Sequence, residues 1–568
     1  MTHWRIVFLP KPNQWPSPLD MRPICIVYRI WTRIRLTHLR NFLTQFLVPY
    51  QSGGIGGPSV QDLLISWHQE FGDYDYCLAL DYQKAFDSMD YILPIHVMEQ
   101  VGVPMQICNL IRYQWDNHKR WCSFNGTVHP QPLVNSKGIP QGDGWSPIAL
   151  SLVLSVVQRY QTRHVPCAKT LLYIDDRTIL ARNMQDLTNA LQLWQRLEDV
   201  TRMRTNARKT QPIARSGDAY ESLKQQGWEA LRVGTVLGVS LGMFPRSPTL
   251  NETKRADGLA TIARRIGVLP VTRKFRALLA SLVLTSKASW GWVLNGLSPS
   301  NVMLDRAYKV AVHHPYTHLH SSTDLRKFFL WGHRSDLQFV VAQNLLVALT
   351  KWRSKHHNVP WNDNTPLIKS LRTTLSKLLC RFDNSGRVTW SLGSWDTSCP
   401  PLWCTRLAHN LRTHWRMLRL ENWLKCSRND AQVARQSGLV VTSSLVESIH
   451  QSSQHVTGHE SAVLSGGLRT AAHAAEKPTH CALCHNEVCP TTDHIYWFCS
   501  HFQHLRQWPR PINDMIARVG WNTNGIQYPI VQQMARIRQA LAIITKRNTN
   551  QSNVDEGEIG RASCRERV

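Results

Sequence analysis

Apolar positions change their spacing along the chain. Up to about residue 242, short β-rich runs alternate with stretches of helical period. Ile6-Val7-Phe8-Leu9, Cys77-Leu78-Ala79-Leu80 and Leu171-Leu172-Tyr173-Ile174 have the length and composition of strands. Val60 to His68 and Trp145 to Tyr160 have helical spacing, so this region is predicted to be an α+β unit. From Glu252 to Leu294 the pattern becomes basic and apolar with little β-branching, which predicts a separate helical domain. Residues 300 to 440 are rich in Trp, His and Arg and predicted to be helical in parts. Ser443 to Glu476 has a linker composition. No internal repeat and no heptad seam emerges.

A chain of 568 residues exceeds one ordinary core, and its 43% apolar content suffices to bury several. The formal charge is +27, with Lys and Arg spread over many segments, a distribution suited to a long polyanion. The N-terminus lacks a signal-peptide pattern, and the longest apolar run, Ile148 to Val157, is about half a bilayer span. An intracellular protein of nucleus or cytoplasm, without a membrane partner, is expected. The 14 cysteines are mostly isolated, unlike a secreted disulfide framework.

Apolar runs meet acids at two places. One run leads into Asp81; two others flank Asp175-Asp176, as in a β-hairpin with the acids at its tip. Carboxylates on adjacent strand ends supply the hard oxygen ligands that Mg²⁺ prefers. An Asp-Asp pair is also ordinary turn chemistry, so the pair alone does not decide.

The surrounding motifs do. Tyr173-Ile174-Asp175-Asp176, Asp81 with Phe86 five residues on, and Gly138-Ile139-Pro140-Gln141-Gly142-Asp143-Gly144-Trp145-Ser146-Pro147 between them resemble, in order and spacing, the palm motifs of reverse transcriptases. Val7-Phe8-Leu9-Pro10-Lys11-Pro12 with Met21-Arg22-Pro23-Ile24, Asn206-Ala207-Arg208-Lys209-Thr210, and Leu237 to Gly242 are similar to the non-LTR (LINE-type) retrotransposon branch. The resemblance implies a right-hand α+β polymerase in which Asp81, Asp175 and Asp176 hold two catalytic Mg²⁺ ions. It implies an RNA template, a DNA or RNA primer and deoxynucleoside triphosphates as partners. Lys11 and Arg22 would meet triphosphate oxygens, and Phe86 would stack beneath the incoming sugar. Gln141, Gly142 and Tyr173 would lie beside template and nucleotide, and Lys209 would donate a proton to pyrophosphate. This sequence departs from the family at Ile174, larger than the usual residue, at Arg177, a cation next to the metal site, and at Asp143, an acid near the template groove. Gly53 to Ser59 lacks the Lys-Ser/Thr of a phosphate loop and reads as a fingers-to-palm connection.

Cys481-x2-Cys484-x9-His494-x4-Cys499 has the ligand types and number for a structural Zn²⁺, with Cys489, His480, His485 and His501 as further donors. It is similar to the knuckle that follows the polymerase in non-LTR retroelements. There Trp497 and Phe498 would stack on bases or pack the knuckle. The expected order is N-terminally truncated fingers and palm at 1–242, a helical thumb at 243–345, and a connection and linker at 346–475. A zinc knuckle at 476–505 and a helical segment at 506–557 follow, and residues 558–568 resemble translated adapter sequence. Target-site nicking is not expected of this chain. The alternatives are an inactive remnant that binds RNA and a group II intron maturase-like protein.

Overall fold

The computed structural model describes residues 3–9, 22–25, 29–48, 50–53, 60–70, 74–117, 119–124, 127–134, 138–242, 250–290, 301–314, 322–355, 365–436, 438–453, 460, 463–464, 478–491, 494–506, 521–522, 525–526 and 528–555. The chain forms two compact units. The first comprises residues 1–249, 293–297 and 351–370, the second 250–292, 298–350 and 371–568.

The first unit opens with strands β1 (His3–Leu9) and β2 (Arg22–Cys25), helix α1 (Arg29–Thr44), the short β3 (Gln51–Ser52), α2 (Val60–Glu70) and β4 (Tyr76–Leu80). Helices α3 (Ala85–Ser88), α4 (Ile92–Gln100) and α5 (Met105–Asp116) follow, then β5 (Lys119–Phe124), β6 (Thr127–Val128) and β7 (Leu133–Val134). Next come α6 (Trp145–His164), β8 (Lys169–Tyr173), β9 (Asp176–Ala181), α7 (Met184–Thr201), β10 (Gln211–Ala214), α8 (Gly217–Gln225), β11 (Val233–Val236) and β12 (Val239–Gly242). One sheet runs β2-β1-β5-β6, with β7 also on β5; a second runs β10-β4-β9-β8-β3. In the second sheet all five residues of β4 are buried, as are Thr170 to Leu172 of β8 and Arg177 to Ala181 of β9, because helices cover the sheet. Leu78, Leu172, Ile179, Trp145, Leu150, Leu154 and Trp194 share that core.

Helix α6 is buried over most of Trp145 to Ser155, and two glutamines nearer its C-terminus fasten it to the sheet. Gln158 donates to the Thr170 carbonyl at 2.5 Å and Gln161 to the Ala168 carbonyl at 3.1 Å. Gln161 also accepts from the Thr170 hydroxyl at 2.6 Å and from the Trp194 indole at 2.7 Å. Buried amides that hydrogen-bond to the strand in this way fix one register where apolar packing alone would allow slippage. The register they fix is that of β8.

The second unit begins with α9 (Leu250–Gly267), α10 (Arg273–Ser289) and α11 (Asn301–His313), which pack together through Leu259, Ala263, Ala277, Ala280, Leu304 and Ala307. The chain continues through α12 (Thr323–Arg326), α13 (Leu337–Lys355), α14 (Pro366–Ser376), the meander β13 (Arg381–Phe382), β14 (Arg387–Trp390) and β15 (Gly393–Asp396), then α15 (Cys404–Lys425), α16 (Asn429–Gln436) and α17 (Ser443–Ser453). After the cysteine module come β16 (Trp521–Asn522), β17 (Gly525–Ile526) and a long helix, α18 (Tyr528–Asp555).

Three expectations change. The meander at 381–396 was not foreseen, because its strands are two to four residues long and interrupted by Gly386 and Gly393. Residue 345, the expected end of the helical domain, lies inside α13, whose apolar positions continue without a stop signal. The segment from Ser443 begins as a helix rather than a linker, with Leu445, Val446 and Ile449 buried. Among the described residues no helix is long and apolar enough to cross a membrane.

Candidate active site and metal centre

Antiparallel pairing of β4 with β9 matches Leu80 to Arg177, so the next step of the register sets Asp81 level with Asp176. Pairing of β8 with β9 matches Tyr173 to Asp176 across a two-residue turn, Ile174-Asp175. Three acids thus meet at one sheet edge. The Asp176 carboxyl is pushed up to about 6, chiefly by burial and then by Asp175 and Asp81, with Lys209 opposing the shift. Carboxylates crowded and desolvated in this way favour a cation, and three of them suit Mg²⁺.

The turn is strained. Ile174 has φ of 55°, a region that β-branched residues avoid. Its amide donates to the Ser52 carbonyl at 3.0 Å, and the neighbouring Gly53 has φ of 88°. A Cβ at 53 would collide with Ile174 Cγ1 and lie 3.2 Å from Cδ1. The large residue at 174 is therefore accommodated by a glycine at 53. Gly54 to Ser59 lie outside the described residues.

Arg177 departs from expectation. Strand alternation turns its side chain to the face opposite Asp176, where it is fully buried. Its Nη2 lies 3.0 Å from Glu198 Oε1 and 2.6 Å from the Thr205 hydroxyl, and its guanidinium sits 4.0 Å from the Tyr82 ring centroid and 5.0 Å from that of Trp194. Glu198 also accepts from the Thr205 amide at 2.9 Å and from its hydroxyl. Thr205 pairs with Tyr82, and the Asn206 amide donates to the Asp81 carbonyl at 2.7 Å. Instead of adding charge to the metal site, Arg177 fastens the strand of Asp176 to the segment that carries Lys209. The Lys209 ammonium pairs with Asp81 from a one-turn helix, Ala207–Lys209.

The remaining site residues spread outward from the acids. Phe86 stands on α3, and its carbonyl accepts from the Ile139 amide at 2.7 Å. Gln141 donates to Asp87 at 3.2 Å, and Gly142 has φ of 92°. Asp143 is only 5% exposed and accepts from the Trp115 indole at 3.1 Å, so it braces the core rather than lining a groove. Tyr173 and Asp176 border a small cleft with Val236 and Leu237, the latter at the tip of the β11–β12 hairpin. Arg22 lies in β2, its side chain and Lys11 being outside the described residues.

In the second unit, one ligand atom each from Cys481, Cys484, His494 and Cys499 lies within 4.8 Å of the others. Cys484 Sγ is 3.4 Å from His494 Nε2. Burial, with Cys481 and Cys484 adding to it, pushes the Cys499 thiol up to about 12. Although burial opposes them, backbone amides and neighbouring thiols hold the Cys484 thiol below its usual value, so the cluster already favours one thiolate, and three cysteines with a histidine fit Zn²⁺. The other donors the spacing left open, Cys489, His480, His485 and His501, are not in this group. Trp497 is buried against the module and Phe498 is 49% exposed.

Residues 9–239 match the family described as reverse transcriptase (RNA-dependent DNA polymerase). That segment is thus similar to a reverse-transcriptase domain, and a retrotransposon protein is among the relatives it resembles. Over 165 residues it is 26% identical to the retrovirus-related Pol polyprotein from type-2 retrotransposable element R2DM of Drosophila melanogaster, a match covering 27% of this chain and 15% of that relative. The chain also has likeness to apo telomerase of Candida tropicalis truncated from its C-terminal domain, at 13% identity and TM-score 0.33, covering 42% of this chain and 53% of that one. Telomerase of Candida albicans, in complex with a fragment of telomeric RNA, matches at 12% identity and TM-score 0.35, covering 66% and 62%. The Arg177 network went unread in the sequence because its members, Tyr82, Arg177, Glu198 and Thr205, are far apart; an Arg directly after the acid pair was its one local signal.

Two stability measurements check these contacts. Gly53→Ala is expected to lose about 1–3 kcal/mol in urea unfolding through overpacking, and Gly53→Ala/Ile174→Ala to recover part of it; equal losses would place the cost elsewhere. Arg177→Met leaves Glu198 buried without its cation and is expected to cost about 3–5 kcal/mol. Arg177→Met/Glu198→Gln removes that charge while keeping an acceptor for Thr205, so it should be the more stable of the two.

Proposed function

We propose that this chain is an RNA-directed DNA polymerase that adds deoxynucleotides to a primer 3′-hydroxyl on an RNA template. The observation that carries this reading is the meeting of Asp81, Asp175 and Asp176 at one sheet edge inside a segment that matches the reverse-transcriptase family. Bound Mg²⁺ would activate the 3′-hydroxyl and stabilise the leaving pyrophosphate. The three carboxylates would hold the ions, and the Arg177 network would keep their strands in register. Lys209 would leave Asp81 for the pyrophosphate and supply a proton there. Phe86, on the helix that follows Asp81, would select against a 2′-hydroxyl. Gln141, Gly142 and Tyr173 would contact template and nucleotide, with Lys11 and Arg22 on the triphosphate.

On this reading residues 1–242 act as fingers and palm and α9 to α11 as thumb. The Cys481, Cys484, His494 and Cys499 set would bind one structural Zn²⁺, with exposed Phe498 presented to single-stranded bases. Buried Trp497 would pack the knuckle.

Primer extension on an RNA template provides the test. Wild-type protein should give a magnesium-dependent product, and Asp175→Asn should lower the rate by about 10² or more. A folded wild-type protein that binds RNA but yields no product would instead favour an RNA-binding remnant, and tight, specific binding of one intron RNA would favour a maturase-like protein. For the knuckle, elemental analysis should find about one zinc per chain, reduced in Cys484→Ser; freshly purified protein without zinc would contradict the assignment.

A further inference from the structure

Three arginines of the second unit lie outside every role assigned above. Arg412 and Arg416 are four residues apart on α15, hence on one face, and both are half-buried. Arg334 is exposed, in a one-turn helix, His333–Ser335, whose His333 ring lies 6.3 Å from Trp415 of α15.

The immediate partners of Arg412 and Arg416 are neutral. Arg412 Nε donates to Gln343 Oε1 at 3.3 Å, and Arg416 Nη2 lies 2.8 Å from His450 Nε2. An imidazole nitrogen that accepts from a guanidinium must carry no proton. In agreement, burial, Arg416 and His409 push His450 down to about 4. His333 is pushed down to about 3 by burial and by Arg412, Arg416, Arg334 and His450. Burial and Arg412 likewise push Arg416 down to about 10, with Glu447 of α17 opposing.

Two of the nearby acids are engaged elsewhere. Arg419 takes Asp324 at 2.9 Å and Asp336 at 3.6 Å, and Asp336 also accepts from the Trp415 indole at 2.9 Å. Among the described residues no carboxylate lies within ion-pairing distance of Arg334, Arg412 or Arg416.

Guanidiniums half out of water and close together repel, and an internal carboxylate would normally relieve them. Here Arg412 is held by an amide and Arg416 by an imidazole, neutral groups that fix direction, with Glu447 attracting Arg416 without an ion pair. That arrangement costs folding energy and retains full positive charge for an external oxyanion. A guanidinium fork matches phosphate in geometry.

We propose that Arg334, Arg412 and Arg416 form a phosphate-binding site in the second unit that grips the backbone of the nucleic acid on which the polymerase works. The choice of a nucleic-acid phosphodiester over other anions rests on the polymerase reading, and a net charge of +27 agrees with it. The contact would be independent of base sequence and would give part of residues 300–440 a role in holding template, primer or their hybrid.

Filter binding of the full chain tests this. Three probes, a 40-nucleotide single-stranded RNA, an RNA–DNA hybrid and duplex DNA of equal length, are titrated from 50 to 400 mM KCl. Each phosphate contact contributes about 0.7 to 0.9 to the slope of log K against log salt. Arg412→Gln/Arg416→Gln should therefore make the slope shallower by about 1.4 to 1.8 on at least one probe. The probe affected identifies the strand held. Arg412→Lys/Arg416→Lys should keep the slope, since a point charge suffices for counterion release. Should the glutamine pair fail to fold, the exposed Arg334→Gln should still lower the slope by about 0.7 to 0.9. Slopes equal to wild type on all three probes would overturn the proposal while leaving the polymerase reading intact. Wild-type protein that binds none of the probes would overturn both.

Discussion

Three carboxylates at the edge of one sheet repel one another, and much of the first unit serves to keep them together. Two unit charges 4 Å apart interact with about 4 kcal/mol at the effective dielectric of a protein surface, so the strands must be tied against that force. The ties are backbone and buried polar bonds: β4 to β9 by register, Asp81 to Asn206 through the main chain, and β8 to α6 through Gln158 and Gln161. Behind the acids, Arg177 and Glu198 form an opposite-charge pair on the dry face of the same strand. The sheet thus carries repulsion on one face and a neutralised, hydrogen-bonded pair on the other. In the absence of an ion, Lys209 meets part of the excess charge through Asp81.

The second unit handles charge in two contrasting ways. The Cys481, Cys484, His494 and Cys499 atoms converge to within 4.8 Å, a spacing that a single tetrahedral ion can fill. Among the described residues Arg334, Arg412 and Arg416 have no carboxylate within ion-pairing distance, and neutral groups hold Arg412 and Arg416. Asp336 shows the other solution, a fully buried acid satisfied by Arg419, Trp415 and the Phe339 amide. Its carboxyl is held below the usual range despite burial, through Lys327, Arg419 and these hydrogen bonds. Residues of one charge type therefore differ in function according to what holds them.

Much of the catalytic edge was legible because its signals are local. Leu78 to Asp81 and Tyr173 to Asp176 are apolar runs that end in acids, and the chain positions of the strand ends are close to those inferred. The cysteine spacing offered several donors, and only folding narrows the set to four. What remained hidden depends on residues distant in sequence. Whether Arg177 faces the metal or the core is decided by strand alternation together with Glu198 and Thr205. Whether Asp143 lines a groove is decided by Trp115, 28 residues away. That Ile174 can occupy a left-handed turn depends on Gly53, which a sequence reading takes for a connecting glycine. The meander at 381–396 escaped because strands of two to four residues carry too little periodicity.

The central claim is that the sheet register assembles Asp81, Asp175 and Asp176 into one divalent-metal centre. Electron paramagnetic resonance of Mn²⁺ bound to protein, primer-template and a non-hydrolysable deoxynucleotide measures this directly. About two bound ions per chain are expected in the wild type, with the spin coupling between them lost in Asp81→Asn although that variant stays folded. Unchanged occupancy and coupling in folded Asp81→Asn would contradict the account.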